Sequence, residues 1–225
     1  MRARISSLLW LYIGLIAFSC AGSFASARLH FDPGPIAPIA SAATLMAGCA
    51  ACVQIYMRRS GQAWAVFAVL LFGAAAELVG IDASFPFGAY QYTQKWAPVV
   101  GTPMGPFPLL VPFAWLLAAL CCGLLASAFA SGWLRFALAG GLAVVLDAAM
   151  EPVMAGRMDY WRWLAPSRLP GGAPARNFVA WFVLVSVSAA LLTKAEKAGT
   201  RKEDWLAPAI VWAGQLLLML VLGIA

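Results

Sequence analysis

GLAVVLDAAMEPVMAG, residues 141–156, is apolar enough to cross a bilayer except at Asp147 and Glu151, and Pro152 follows the second acid directly. Four residues separate the two carboxyl groups, so on a helix both lie on one face. An ionisable side chain at the centre of a lipid-embedded helix costs roughly 2.5–3.5 kcal/mol even on lenient insertion scales, so such acids persist only where something compensates. VLLFGAAAELVGIDASFPFG, residues 69–88, repeats the pattern with Glu77. Three acids therefore stand where lipid would normally exclude them.

The composition agrees with this reading. Hydrophobic residues make up 63% of the 225 and charged residues 11%, and the mean hydropathy is +0.84. A soluble domain is about 45–50% apolar and about 25% charged. The expected fold is all-α: a polytopic integral-membrane helical bundle forming a single domain over residues 1–225. Seven transmembrane helices are expected, at about 6–25, 36–57, 62–81, 109–130, 133–155, 177–193 and 207–225. At about 20 residues per span, they leave no room for a separate soluble domain. No nucleic-acid partner is expected of such a chain. The links after the second and fourth spans are tight hairpins, whereas 82–108 and 156–176 are long. The first of these is rich in proline and aromatics, and the second holds YWRW (160–163) with Arg157, Arg162, Arg168 and Arg176.

Arg2 and Arg4, then LLWLYIGLIAF, then ASA at 25–27 resemble a secretory signal and its cleavage site. The apolar run exceeds the usual core of about 7–15 residues, which favours a retained anchor. Lysine and arginine in short loops set orientation. With the N-terminus inside, Arg2, Arg4, Arg58, Arg59, Arg135, Lys194, Lys197, Arg201 and Lys202 are cytoplasmic, against Arg28, Lys95, Arg157, Arg162, Arg168 and Arg176 opposite. A multi-pass protein of the cell inner (plasma) membrane is expected. The third and fifth spans then run in the same direction. Glu77 and Asp147 each lie about 15 residues into their spans, which at about 1.5 Å per residue sets them at one depth, near the two long links.

Other chemistries fit poorly. The single histidine, His30, cannot build the usual zinc or di-iron site, and no metal is expected. Cys49 and Cys52 form CxxC, but among small residues within an apolar span. All five cysteines read as buried thiols. The seventh span lacks the lysine a retinal Schiff base needs. Two structural readings stay open: pairing of the acids with Arg157 or Arg176, and an interfacial belt for Trp10, Trp64, Trp133 and Trp205.

Glu77 with FPFGAYQYT (85–93), GTP (101–103), PLLVPFAW (108–115), DAAMEP (147–152), YWRW (160–163) and GGAPARNFVAW (171–181) resembles the CruF-type carotenoid hydratase family, which includes bisanhydrobacterioruberin hydratases. The resemblance covers about residues 72–182. GGAP stands where an aromatic-rich stretch is expected, and Ala180 where glycine is usual; both departures bear on which carotenoid is accepted. The resemblance implies a membrane enzyme of carotenoid biosynthesis that works without a cofactor. It would add water to the terminal double bond of an acyclic end such as that of lycopene or γ-carotene. Its partners would be the membrane-dissolved carotenoid, water, the bilayer and other enzymes of the carotenoid pathway.

A polyene offers no lone pair to grip, so hydration requires a positioned acid to protonate an alkene carbon. A carboxyl group in apolar surroundings keeps its proton at neutral pH, and an aromatic face stabilises a cation by about 0.5–2 kcal/mol. Asp147 is the expected donor, with Glu151 or Glu77 orienting or activating the water. Tyr90, Tyr92, Trp161 and Trp163 are candidates for a cation pocket, Phe87, Trp115 and Trp181 for its wall, and Asn177 and Arg176 for polar support. The same protonation would serve an integral-membrane carotenoid cyclase. A non-catalytic carotenoid- or lipid-binding protein or a transporter is a further reading, but the chain lacks the paired repeats and interrupted half-helices of many transporters.

Overall fold

The computed structural model describes residues 6–30, 32, 34, 36–194 and 205–224. Arg2, Arg4, Lys197, Arg201 and Lys202, which carry part of the charge asymmetry, lie outside the described residues. Seven helices in it are long and apolar enough to cross a membrane: α1 (Ser7–Leu29), α2 (Ile36–Ser60), α3 (Ala63–Ala83), α4 (Val111–Phe129), α5 (Leu134–Glu151), α6 (Ala175–Lys194) and α7 (Leu206–Ile224). The chain is a multi-pass helical membrane protein. Its outer surface is apolar, with Phe67, Leu71, Phe129, Val179 and Leu220 all exposed, as lipid-facing helices require.

The most buried helix is α4, which packs against α2, α3, α5, α6 and α7. On the flank, α1 docks between α2 and α7. Its Tyr12 is completely buried and donates a hydrogen bond to the Val211 carbonyl at 2.8 Å, so the first span belongs to the bundle and is not an appendage. All five cysteines are free thiols; four are buried and Cys20 is only half-buried, because α1 lies at the periphery.

The helix α5 ends differently from the uninterrupted span expected. Pro152 cannot donate a backbone hydrogen bond, and Pro152–Arg157 winds as a π-helical turn, a widening that often accompanies functional sites. Met158 N–H closes it onto the Val153 carbonyl at 2.7 Å. At α6 the helix starts at Ala175, so Arg176 belongs to its first turn and not to the preceding link.

The long links hold the only strands among the described residues, and these went unforeseen in the sequence. β1 (Tyr90–Tyr92) pairs antiparallel with β4 (Trp161–Trp163), Tyr90 opposite Trp163 and Tyr92 opposite Trp161. β2 (Val99–Thr102) and β3 (Gly105–Pro108) form a hairpin. Bonds from Leu164 N–H to the Ala89 carbonyl and from Thr93 N–H to the Tyr160 carbonyl, both 2.9 Å, extend the β1–β4 ribbon at its two ends. Asp159 sits at its rim, bonded to Arg162 at 2.6 Å and to Lys95 at 2.9 Å. Those two cations hold the half-buried Asp159 carboxyl well below the usual carboxylate range, chiefly through the Arg162 hydrogen bonds.

The helix directions put residues 84–110 and 158–174 on one membrane face and the α2–α3 turn on the other. Arg59 is buried, with one guanidinium nitrogen donating to Ser127 Oγ at 3.1 Å, so its exposed neighbour Arg58 reports that turn better. In a background without native thiols, single cysteines at 95 and 168 should label from one side of sealed vesicles and one at 58 only from the other. Labelling of all three from one side would refute this arrangement.

Candidate active site

Helix periodicity and strand alternation converge on one point. Glu77 comes from α3, Trp115 from α4, Asp147 and Glu151 from one face of α5, and Asn177 and Trp181, four apart, from one face of α6. Successive strand side chains point to opposite faces. The ribbon therefore turns Tyr90, Tyr92, Trp161 and Trp163 inward while Gln91 and Arg162 stay exposed.

Neutral donors satisfy the acids. Glu77 Oε2 accepts from the Tyr90 hydroxyl at 2.6 Å and the Tyr92 hydroxyl at 2.9 Å, and Oε1 accepts from the Trp115 indole at 2.7 Å. Glu151 Oε2 accepts from the Trp163 indole at 2.9 Å and the Trp161 indole at 3.4 Å. The Asn177 amide bridges the α5 acids, donating to Asp147 Oδ2 at 2.7 Å and Glu151 Oε1 at 3.2 Å. Asp147 is completely buried, and among the described residues no group hydrogen-bonds its Oδ1. Burial, followed by the neighbouring Glu77 charge, raises the Tyr90 and Tyr92 hydroxyls above the usual phenol range. Both tyrosines therefore act as donors.

All three acids line a cavity of about 40 Å³, where about 10–15 Å³ admits one water. Phe87, Tyr90, Tyr92, Trp96, Trp115, Trp161, Trp163 and Trp181 complete most of its wall. Trp115 stacks on Trp181 with ring centroids 4.1 Å apart, and Trp96 stacks on Tyr160 at 5.4 Å. Among the described residues no Lys, Arg or His lines this cavity. A positive charge about 4 Å from one carboxylate gains about 4 kcal/mol at an effective dielectric of about 20. An aromatic face supplies about 0.5–2 kcal/mol, so an acid in its ionised form contributes more than any single ring. The arrangement suits a cation that forms and disappears within the cavity.

Close backbone approach makes this possible. A Cβ on Gly80 would meet the Tyr90 hydroxyl at 2.6 Å and Phe87 at 2.8 Å. Gly171, at φ +63°, rests on Glu151, whose carbonyl a Cβ would meet at 2.5 Å. The GGAP stretch is thus a glycine contact beneath an acid, which a bulkier residue at 171 would disrupt.

Eleven of the twelve candidate side chains line the cavity; Arg176 does not. It is exposed and lies over Gly88, where a Cβ would meet its Nε at 3.1 Å. One residue is about 100° of helix rotation, and Asn177 takes the inward position. Arg157 is likewise diverted, donating to the Leu222 carbonyl at 2.5 Å. Among the described residues neither arginine pairs with an acid. Val111, Ala114 and Met150, which sequence reading passed over, complete the wall with Trp96, whose place among the aromatics on the acidic side was legible but which was not named as a site residue. Val111, Ala114 and Trp115 stand at i, i+3 and i+4, so helical spacing from Trp115 was the available signal. Among the described residues no three His, Cys, Asp or Glu side chains group to hold a metal.

The family described as carotenoid biosynthesis protein matches residues 39–225. No curated protein and no solved structure matches the chain.

The donors to Glu77 also hold the bundle together. Trp115→Phe leaves buried Oε1 unsatisfied, which costs about 1–3 kcal/mol. Thermal unfolding of the detergent-solubilised protein should register that loss, and should register almost none for Trp205→Phe, a change at an exposed helix end. Equal melting of the two variants would show that the indole bond carries no stability.

Proposed function

Since the chain belongs to the carotenoid biosynthesis protein family, we propose that it is an enzyme that adds water to the terminal double bond of an acyclic carotenoid end, such as that of lycopene or γ-carotene. The observation that carries this reading is a cavity with room for water, bounded by three buried acids and aromatic faces and free of basic side chains. The proposed setting is the inner (plasma) membrane, where the substrate dissolves.

Asp147 is the proton donor. Its Oδ1 is unpartnered, whereas Glu77 and Glu151 have both oxygens occupied as acceptors. The Asp147 proton passes to the second carbon of the terminal alkene, whose π electrons form the new C–H bond and leave a tertiary cation on the first carbon. Trp161, Trp163, Tyr90 and Tyr92 face that cation, and the carboxylates of Glu77 and Glu151 lower its energy. Water in the cavity donates a lone pair to the first carbon. Its surplus proton goes to Glu151, which shares the Asn177 amide with Asp147 and returns the proton across one helical turn. The product is a tertiary alcohol. The acids and the protein emerge unchanged, so no cofactor is consumed.

A cyclase would use the same first step and let a second double bond capture the cation. The room for water beside the acids favours hydration. In a lycopene-producing host, hydration yields a more polar product heavier by one water, while cyclisation yields an isomer of equal mass. Asp147→Asn should abolish the hydrated product at normal protein levels, and Glu151→Gln should reduce it strongly. Trp161→Leu should slow turnover about tenfold if about 1.4 kcal/mol of cation stabilisation is lost. Near-wild-type conversion by Asp147→Asn would remove it as donor and leave Glu77 the next candidate.

A further inference from the structure

A second cavity of about 90 Å³ lies among α2, α4, α5 and α7. It shares Trp96, Ala114, Met150 and Trp181 with the cavity at the acids, so the two adjoin, with these side chains as their common wall. The polar cavity is small enough to hold a chain end and a water, and too small for a polyene chain. The remainder of the substrate must therefore lie elsewhere.

We infer that the second cavity is the binding site for the stretch of a linear polyene's hydrocarbon chain next to its reacting end, laid so that the terminal alkene reaches Asp147 and the rest of the chain lies beyond the cavity. The inference rests on the hydration reading for the identity of that terminus. Leu146 and Met150 on α5 and Met154 in the π-helical turn stand four apart in sequence, beside Asp147 and Glu151, so a chain lying along this row passes next to the acids. Among the described residues no charged side chain lines the second cavity. Two of its polar residues are occupied within the protein: the Thr44 hydroxyl donates to the Ala40 carbonyl at 2.7 Å, and the Gln215 amide donates to the Tyr12 hydroxyl at 3.3 Å. Such a cavity holds water poorly and hydrocarbon well. Unbranched methionines line both α5 and α7 here and adapt to a long, thin guest. The occupant is a polyene and not a saturated lipid chain, because the cavity adjoins, across Trp181 and Met150, a site whose acids only an alkene end can use.

The test uses the full chain in lipid nanodiscs. Ala118→Phe and Met219→Trp narrow the second cavity without touching the acid-lined one; Ala118→Leu serves if the phenylalanine variant fails to fold. Lycopene binding is read by quenching of tryptophan fluorescence, since Trp96 and Trp181 stand at the junction. Turnover is read with lycopene and with a short acyclic terpene bearing the same terminal alkene. The narrowed variants should bind and convert lycopene at least about tenfold less well, about 1.4 kcal/mol, while converting the short terpene like wild type. Asp147→Asn should bind lycopene normally. Folded variants with unchanged lycopene quenching and turnover, or with altered phospholipid retention alone, would overturn the chain site while leaving hydration intact. Weakened binding in the variants, with no hydrated product even from wild type, would support the chain site and dismiss the hydration reading.

Discussion

The structure depends on how three buried carboxyl groups are hydrogen-bonded by neutral groups, with no counter-cation among the described residues. An ionisable group in a lipid-embedded helix is tolerated only when its hydrogen-bonding needs are met from within. Here Tyr90, Tyr92 and Trp115 meet those of Glu77, and Trp161, Trp163 and Asn177 those of Glu151. An isolated two-stranded ribbon is marginal in water, and β1–β4 is only three residue pairs long. Its inward hydroxyls and indoles are anchored on helical acids, so the ribbon caps the bundle and the acids order the ribbon.

The choice of donor also decides the chemistry. An arginine would neutralise the acids and repel a developing cation, whereas indole and phenol groups satisfy the oxygens and leave the negative field in place. Asn177 holds Asp147 by one oxygen and leaves the other unpartnered. Positive charge is thus welcome at the centre of the cavity, while the fixed cations Lys95 and Arg162 are kept at the rim by Asp159. The polar and apolar cavities share Trp181 and Met150 in their walls.

Much of the fold was legible because lipid solvation acts on local sequence. Spans of about 20 apolar residues identify the seven helices, and observed ends differ by only a few residues where capping or Pro152 intervenes. Asp147 and Glu151 share a face because i and i+4 always do on a helix. Glu77 joins them because parallel spans of similar length place residues at equal depth. The alternation of YQY and WRW was also visible, but a run of three residues cannot declare itself a strand without its partner.

The sequence by itself determined the membrane class, the helices, the three acids and the aromatic supply around them, since each follows from hydropathy or short-range periodicity. Tertiary structure decided what those groups do to one another. Tyr90 meets Trp163 across more than seventy residues of chain, and no local rule sets that register. Arg176 turns outward while Asn177 turns in, because the phase of α6 is set by its packing against α5 and α4. The second cavity exists only where four helices fail to close completely, a property of their joint packing that no single segment encodes.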